Sequence, residues 1–171
     1  MKKHLFLLLV LLTTGSATLR AQVLGVFTWD NNGKYTNVRN APKGKIVDRI
    51  PTDIPAMFAV EKPTNGWWKI FTNEYDTGDN QVTFKGSTKG YWIHYSVLAV
   101  GTRNYGGETL YLRKTPNAKG AVVYQFKDEI ELRPVDITAD GEWVKVKTVD
   151  GKFTGWIESD WLCDNSLTNC C

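Results

Sequence analysis

The chain has 171 residues, 42% of them hydrophobic and 23% charged, proportions that exclude a disordered chain and a membrane-embedded one. Its formal charge of +3 arises at the N-terminus: without Lys2, Lys3 and Arg20, 18 basic side chains face 18 acidic ones. That balance offers no electrostatic footprint to a polyanion, which argues against a nucleic-acid partner.

Lys2 and Lys3 precede an apolar run over residues 5–12, followed by Thr13, Thr14, Gly15, Ser16 and Ala17. A basic start, a short apolar stretch and small residues predict a secretory signal peptide over residues 1–21, cut after Ala21 or Ala17. Eight apolar residues span only about 12 Å as a helix, against the roughly 30 Å of a bilayer core, so no membrane insertion is expected once the leader is removed. The expected location is the periplasm or the exterior. Export permits disulfides, and all three cysteines, Cys163, Cys170 and Cys171, fall in the last nine residues. Cys163 with Cys170 or Cys171 closes a short loop and leaves one thiol over, whereas the neighbouring pair makes a strained ring. An intermolecular link is the alternative.

From residue 22 onward the pattern is strand. Short segments rich in Val, Ile, Thr, Tyr and Trp are separated by Gly, Pro, Asn and Asp. Asn31-Asn32-Gly33-Lys34 predicts a hairpin between segments 26–29 and 35–38. Asn65-Gly66 precedes Trp67-Trp68, and residues 72–87 form a polar stretch rich in Asn, Asp, Gly and Thr. Residues 104–107 repeat the first turn signal. Asp140-Gly141 then precedes Trp143, and Asp150-Gly151 precedes Phe153. Segment 143–147 alternates across two faces, as a half-buried strand requires. No segment sustains a helical period through ten residues.

The segments also repeat. Thr36-Asn37-Val38-Arg39-Asn40-Ala41-Pro42 is echoed by Leu110-Tyr111-Leu112-Arg113-Lys114-Thr115-Pro116, and Gly44-Lys45-Ile46-Val47 by Gly120-Ala121-Val122-Val123. Trp67-Trp68-Lys69-Ile70 matches Trp143-Val144-Lys145-Val146. Tyr91-Trp92-Ile93, ending in Val97-Leu98, matches Gly155-Trp156-Ile157, ending in Trp161-Leu162. The offset changes between the last two pairs, which places an insertion at about 72–87 in the first copy.

These blocks resemble the bacterial SH3 family: an Asn-Val-Arg-x-x-Pro start, a Gly-x-Trp-x-Lys-Val strand and a closing Gly-Trp-Val-x-x-x-x-Leu. Asn37 to Pro42 fits the start, and Gly155 to Leu162 fits the close. Tyr111-Leu112-Arg113 departs from Asn-Val-Arg. The resemblance implies an all-β fold of two tandem small SH3-like β-barrels, over residues 22–98 and 99–171. Val97-Leu98-Ala99-Val100 is apolar, unlike a flexible tether, so the barrels are expected to pack together with almost no linker.

Catalytic resources are sparse. His94 is the sole histidine beyond the leader, its counterpart is Glu158, and its expected role is that of a surface strand residue. The cell-wall cysteine peptidases that often carry such domains need a separate domain for which this chain has no room. Asp160, Asp164 and Asn165 do not fit a cation loop, so no metal and no cofactor are expected. Aromatic residues remain. Trp68, Ile70, Trp92, Val144 and Val146 are candidate core positions, and alternation then turns Trp67 and Trp143 outward. With Tyr35, Tyr91, Tyr105, Tyr111 and Trp161 they would form a contact surface, unless they pack at the junction of the barrels. The family resemblance implies a secreted, non-catalytic protein that binds a peptide or peptidoglycan-stem ligand. The alternatives are a scaffold subunit docking another envelope protein through segment 72–87 and, more weakly, a cell-wall hydrolase.

Overall fold

The computed structural model of the chain describes residues 23–164. The expected leader, Cys170 and Cys171 therefore lie outside the described residues. The chain runs through β1 (Val23–Thr28), β2 (Tyr35–Arg39), β3 (Ile46–Pro51), β4 (Met57–Thr64), β5 (Trp67–Ile70), β6 (Glu74–Asp76), β7 (Gln81–Thr83) and β8 (Trp92–His94). A single 3-10 turn (Tyr95–Val97) leads into β9 (Leu98–Thr102). Then follow β10 (Leu110–Arg113), β11 (Val122–Phe126), β12 (Glu131–Ile137), β13 (Trp143–Thr148), β14 (Thr154–Glu158), a second 3-10 turn (Ser159–Trp161) and β15 (Leu162–Cys163). The fold is all-β. No helix among the described residues is long and apolar enough to cross a membrane.

Hydrogen bonding links the strands in the order β3-β2-β8-β5-β4-β1-β9, and the same order recurs as β11-β10-β14-β13-β12-β9-β15. One strand belongs to both series. β9 pairs with β1 through Phe27↔Ala99 and Thr28↔Leu98, as β15 pairs with β9 through Leu162↔Thr102 and Cys163↔Gly101. It also pairs with β12, as β1 pairs with β4. The ladder is one open path whose two halves share a strand, which is consistent with the expected SH3-like all-β fold and leaves almost no linker between the halves. Leu98, Ala99 and Val100 are all buried, which explains why this connection reads as apolar.

Residue-level geometry recurs with the order. Both β2 and β10 carry a register shift before their arginine, which then pairs with a tryptophan: Arg39↔Trp92 and Arg113↔Trp156. Each arginine Nη1 donates to a turn carbonyl, Arg39 to Gly44 at 2.7 Å and Arg113 to Gly120 at 3.0 Å. The arginine of the repeated block thus braces the turn that follows it.

The core lies where alternation predicts, with one exception. Trp68, Ile70, Val144 and Val146 are buried, but Trp92 is only half-buried. Trp68 pairs with Ile93 and Lys69 with Trp92, and directly opposed residues share a face of the sheet, so Ile93 takes the core position. The insertion also contributes to the core. β6 and β7 pair as a hairpin, and Tyr75 and Phe84 are buried with Phe58 and Tyr91. Ring centroids lie 5.0 Å apart for Tyr75–Phe84 and 5.1 Å for Phe84–Tyr91. In the other half Gly155 stands where Tyr91 does, and a Cβ there would come within 2.9 Å of Leu112 Cβ and 3.0 Å of the Arg113 carbonyl oxygen.

Beyond the β1–β9 ladder, two side chains among the described residues, Trp68 and Arg133, hydrogen-bond across the halves. Trp68 Nε1–H donates to the Pro134 carbonyl at 2.9 Å, a buried bond between β5 and β12. Arg133 Nη1 donates to the carbonyls of Trp29 at 2.7 Å and Leu98 at 2.8 Å. Burial pulls the Arg133 guanidinium below the usual arginine range, and nearby Asp30 pulls it back.

Two hairpin turns share one design, Thr-x-Asp-Gly. The Thr138 hydroxyl and the Glu142 amide donate to Asp140 Oδ1; the Thr148 hydroxyl, at 2.6 Å, and the Lys152 amide donate to Asp150 Oδ1. These bonds favour the ionised form, Thr138 contributing most at Asp140 and Thr148 most at Asp150, which is held down to about 2. A carboxyl with a depressed folded pKa stabilises the fold above its ordinary value of 3.8 and stops doing so as pH falls through about 2. The expected result is a melting temperature that declines on acidification from about pH 5 to about pH 2, with a shallower decline in Asp150→Asn. Identical acid limbs for the two proteins would contradict this role.

Candidate functional site

Three of the seven aromatic residues singled out from sequence meet in one place. Tyr111 projects from β10 on the face opposite the buried Leu110 and Leu112. β10 pairs with β14, and β14 pairs with β13 so that Glu158 faces Trp143. The 3-10 turn after β14 adds Trp161. Together with Arg113 these residues line a shallow groove of about 50 Å³. The Arg113 guanidinium lies 5.1 Å from the Tyr111 ring centroid while bonded to the Gly120 carbonyl, so one wall of the groove is held rigidly.

The groove continues into an acidic recess. Asp140, Glu142, Glu158 and Asp160 line a space of about 400 Å³ around Trp143 and Gly141. Among the described residues no cluster of three or more His, Cys, Asp or Glu could hold a metal ion.

The other four candidates lie elsewhere. Tyr35 and Tyr105 are exposed, at 52% and 62%, but do not line the groove. Tyr91 is corrected from surface to core: it is 7% exposed, and its hydroxyl donates to the carbonyls of Phe84 at 3.1 Å and Ser87 at 3.2 Å. Its inward aim follows from alternation with buried Ile93. Trp67 faces outward as expected but is partly covered, with the Arg39 guanidinium 5.7 Å and the His94 ring 5.1 Å from it. The positions matching Tyr111, Glu158 and Trp161 are Asn37, His94 and Val97, so the first half does not rebuild the groove.

His94 caps the first 3-10 turn. Its Nδ1 accepts from the Ser96 amide at 3.3 Å and lies 2.8 Å from Ser96 Oγ, and burial holds the imidazole below its ordinary pKa. A serine hydroxyl beside an imidazole has the spacing of a nucleophile and its base. Here, however, the same nitrogen is engaged by the turn amide, and among the described residues no carboxylate is hydrogen-bonded to the ring to orient it. Cys163 is buried at the end of β15, and its two candidate partners lie outside the described residues.

Residues 108–162 match the family model of the bacterial SH3 domain. The matched segment runs from the loop before β10 to the start of β15 and contains every residue of the aromatic groove. No curated protein matches the chain. Among solved structures, NlpC2 from Trichomonas vaginalis is 11% identical, covering 82% of this chain and 47% of that one at a TM-score of 0.30. NlpC1 from the same organism is 13% identical, covering 91% and 50%, also at 0.30. The chain spans about half the length of both, and likeness at this level supports no inference about its function.

Sequence reasoning missed two parts of the site. Arg113 was visible as a motif residue, yet its place beside Tyr111 depends on the register shift preceding it. The acidic recess joins two turns, 140–142 and 158–160, that are far apart in sequence and adjacent only through the β13–β14 pairing.

Proposed function

We propose that the chain is an exported, non-catalytic binding protein built from two tandem SH3-like modules, of which the second recognises an extended peptide. The carrying observation is the convergence of Tyr111, Trp143 and Trp161 with Arg113 and Glu158 on one groove inside the bacterial SH3 segment. Aromatic faces provide contact area at low entropic cost, and Arg113 suits a carboxylate of the ligand. The four carboxylates beside Trp143 favour a ligand whose amine lies against that ring, the pattern of a stem peptide bearing a diamino acid. The recurrence of strand order supports the tandem reading, and the basic-apolar-small leader supports export. A Cys163 disulfide to Cys170 or Cys171 belongs to the same proposal, and mass spectrometry of unreduced peptides would identify it. The role of segment 72–87 in docking an envelope protein is less favoured, because its Tyr75 and Phe84 are spent on the core.

Titration of soluble peptidoglycan stem peptides into the protein, followed by calorimetry, tests the reading. Trp143→Ala is expected to weaken binding at least about tenfold, the effect of losing a central aromatic anchor. Equal affinity of the variant, or no binding of any stem peptide, would remove the groove from consideration.

A further inference from the structure

A second cleft lies away from the groove, where the two halves adjoin. Trp29, just after β1, faces Tyr124, Ile130, Glu131, Val149 and Phe153 of the second half across a space of about 270 Å³. Tyr124 stacks on Phe153 with centroids 4.5 Å apart and planes 17° apart, and on Phe126 at 5.6 Å and 22°. Phe153, which ends the stack, nevertheless stays 37% exposed.

The polar groups around this face narrow the choice of ligand. The Trp29 indole N–H and the Tyr124 hydroxyl have no hydrogen-bond partner among the described residues, and neither does the exposed Glu131 carboxylate. Asp150, by contrast, is occupied by Thr148 and Lys152. An apolar side chain entering the cleft would cover two donors and an acceptor without satisfying them. A cation would meet Glu131 and could donate to the Tyr124 hydroxyl oxygen, but it would leave the Trp29 N–H without an acceptor. A ring with one apolar C–H face and a rim of hydroxyls satisfies all three groups while stacking on Phe153.

We infer that this inter-half cleft binds a pyranose unit of a glycan, stacked on Phe153 and hydrogen-bonded to Trp29, Tyr124 and Glu131. The inference is independent of the peptide groove, because the two sites share no residue.

The test is a ¹H–¹⁵N NMR titration of the protein with the β-1,4-linked tetramers of N-acetylglucosamine and of glucose, and with maltotetraose. At least one is expected to move the Trp29 indole resonance and the amides of residues 149–153 saturably, with a dissociation constant of order 1 mM. Phe153→Ala should weaken that response at least about tenfold, and Tyr124→Phe, which keeps the stack and removes only the hydroxyl, should weaken it severalfold. Trp143→Ala should leave it unchanged, so that failure of the cleft and failure of the groove are distinguishable. Silence of all three tetramers would overturn the assignment. So would an unaltered response in both cleft variants, or the same resonances moving with an apolar dipeptide and with no saccharide.

Discussion

Trp68→Ala is expected to lower the unfolding free energy by about 3–5 kcal/mol, the range for truncating a fully buried aromatic. The indole is fully enclosed, opposite Ile93 in the β5–β8 ladder, and its N–H satisfies the Pro134 carbonyl. Two costs therefore combine: a cavity in one half and an unpaired carbonyl in the other. Trp68→Phe separates them, because it keeps most of the volume and removes the donor. Its expected cost is about 1–3 kcal/mol, that of a buried acceptor left unsatisfied. Urea denaturation of the three proteins measures both, and a loss below about 0.5 kcal/mol in the alanine variant, the level of an ordinary surface change, would deny Trp68 this place.

Arg133→Met is expected to cost about 2–4 kcal/mol, since one charged donor serves two backbone acceptors, Trp29 and Leu98, on segments of the first half and the shared strand. Its second effect concerns cooperativity. With that clamp removed the halves are expected to melt apart, so that fluorescence and circular dichroism no longer trace one coincident urea transition. Arg133 and Pro134 are neighbours, so Trp68→Phe and Arg133→Met should also interact, departing from additivity by at least about 0.5 kcal/mol in a double-mutant cycle. Strict additivity together with coincident transitions would mean that the two contacts do not form one joint.

Much of this arrangement was legible beforehand because strands declare themselves through alternation and turns through Asn-Gly and Asp-Gly pairs. The outward aim of Trp67 and Trp143 followed from period two, and the insertion was found by the change in offset between repeated blocks. Trp92 and Tyr91 were assigned to the wrong sides for a single reason. β8 is only three residues long, with Tyr91 just before it, and alternation around so short a run has no phase until the ladder to β5 supplies one. The inserted segment looked like a surface loop because its composition is polar, yet its two large rings alternate inward once β6 and β7 pair. Long-range polar contacts such as Arg133 to Trp29 leave no local trace, since nothing in an arginine's sequence neighbourhood names a carbonyl 104 residues away. Convergence of Tyr111, Trp143 and Trp161 likewise depended on which strands are neighbours, and their spacing along the chain does not encode that.

The common strand β9 has a consequence for anyone wishing to dissect the molecule. There is no place to cut. A break before Leu98 strips the first half of its final partner, and a break after Thr102 leaves the second without its opening one. Either fragment would present a raw sheet margin to solvent and to its own copies, inviting exchange of segments between molecules. Half-length versions are accordingly expected to be sticky, and any isolated module will need residues 98–102 restored at its boundary.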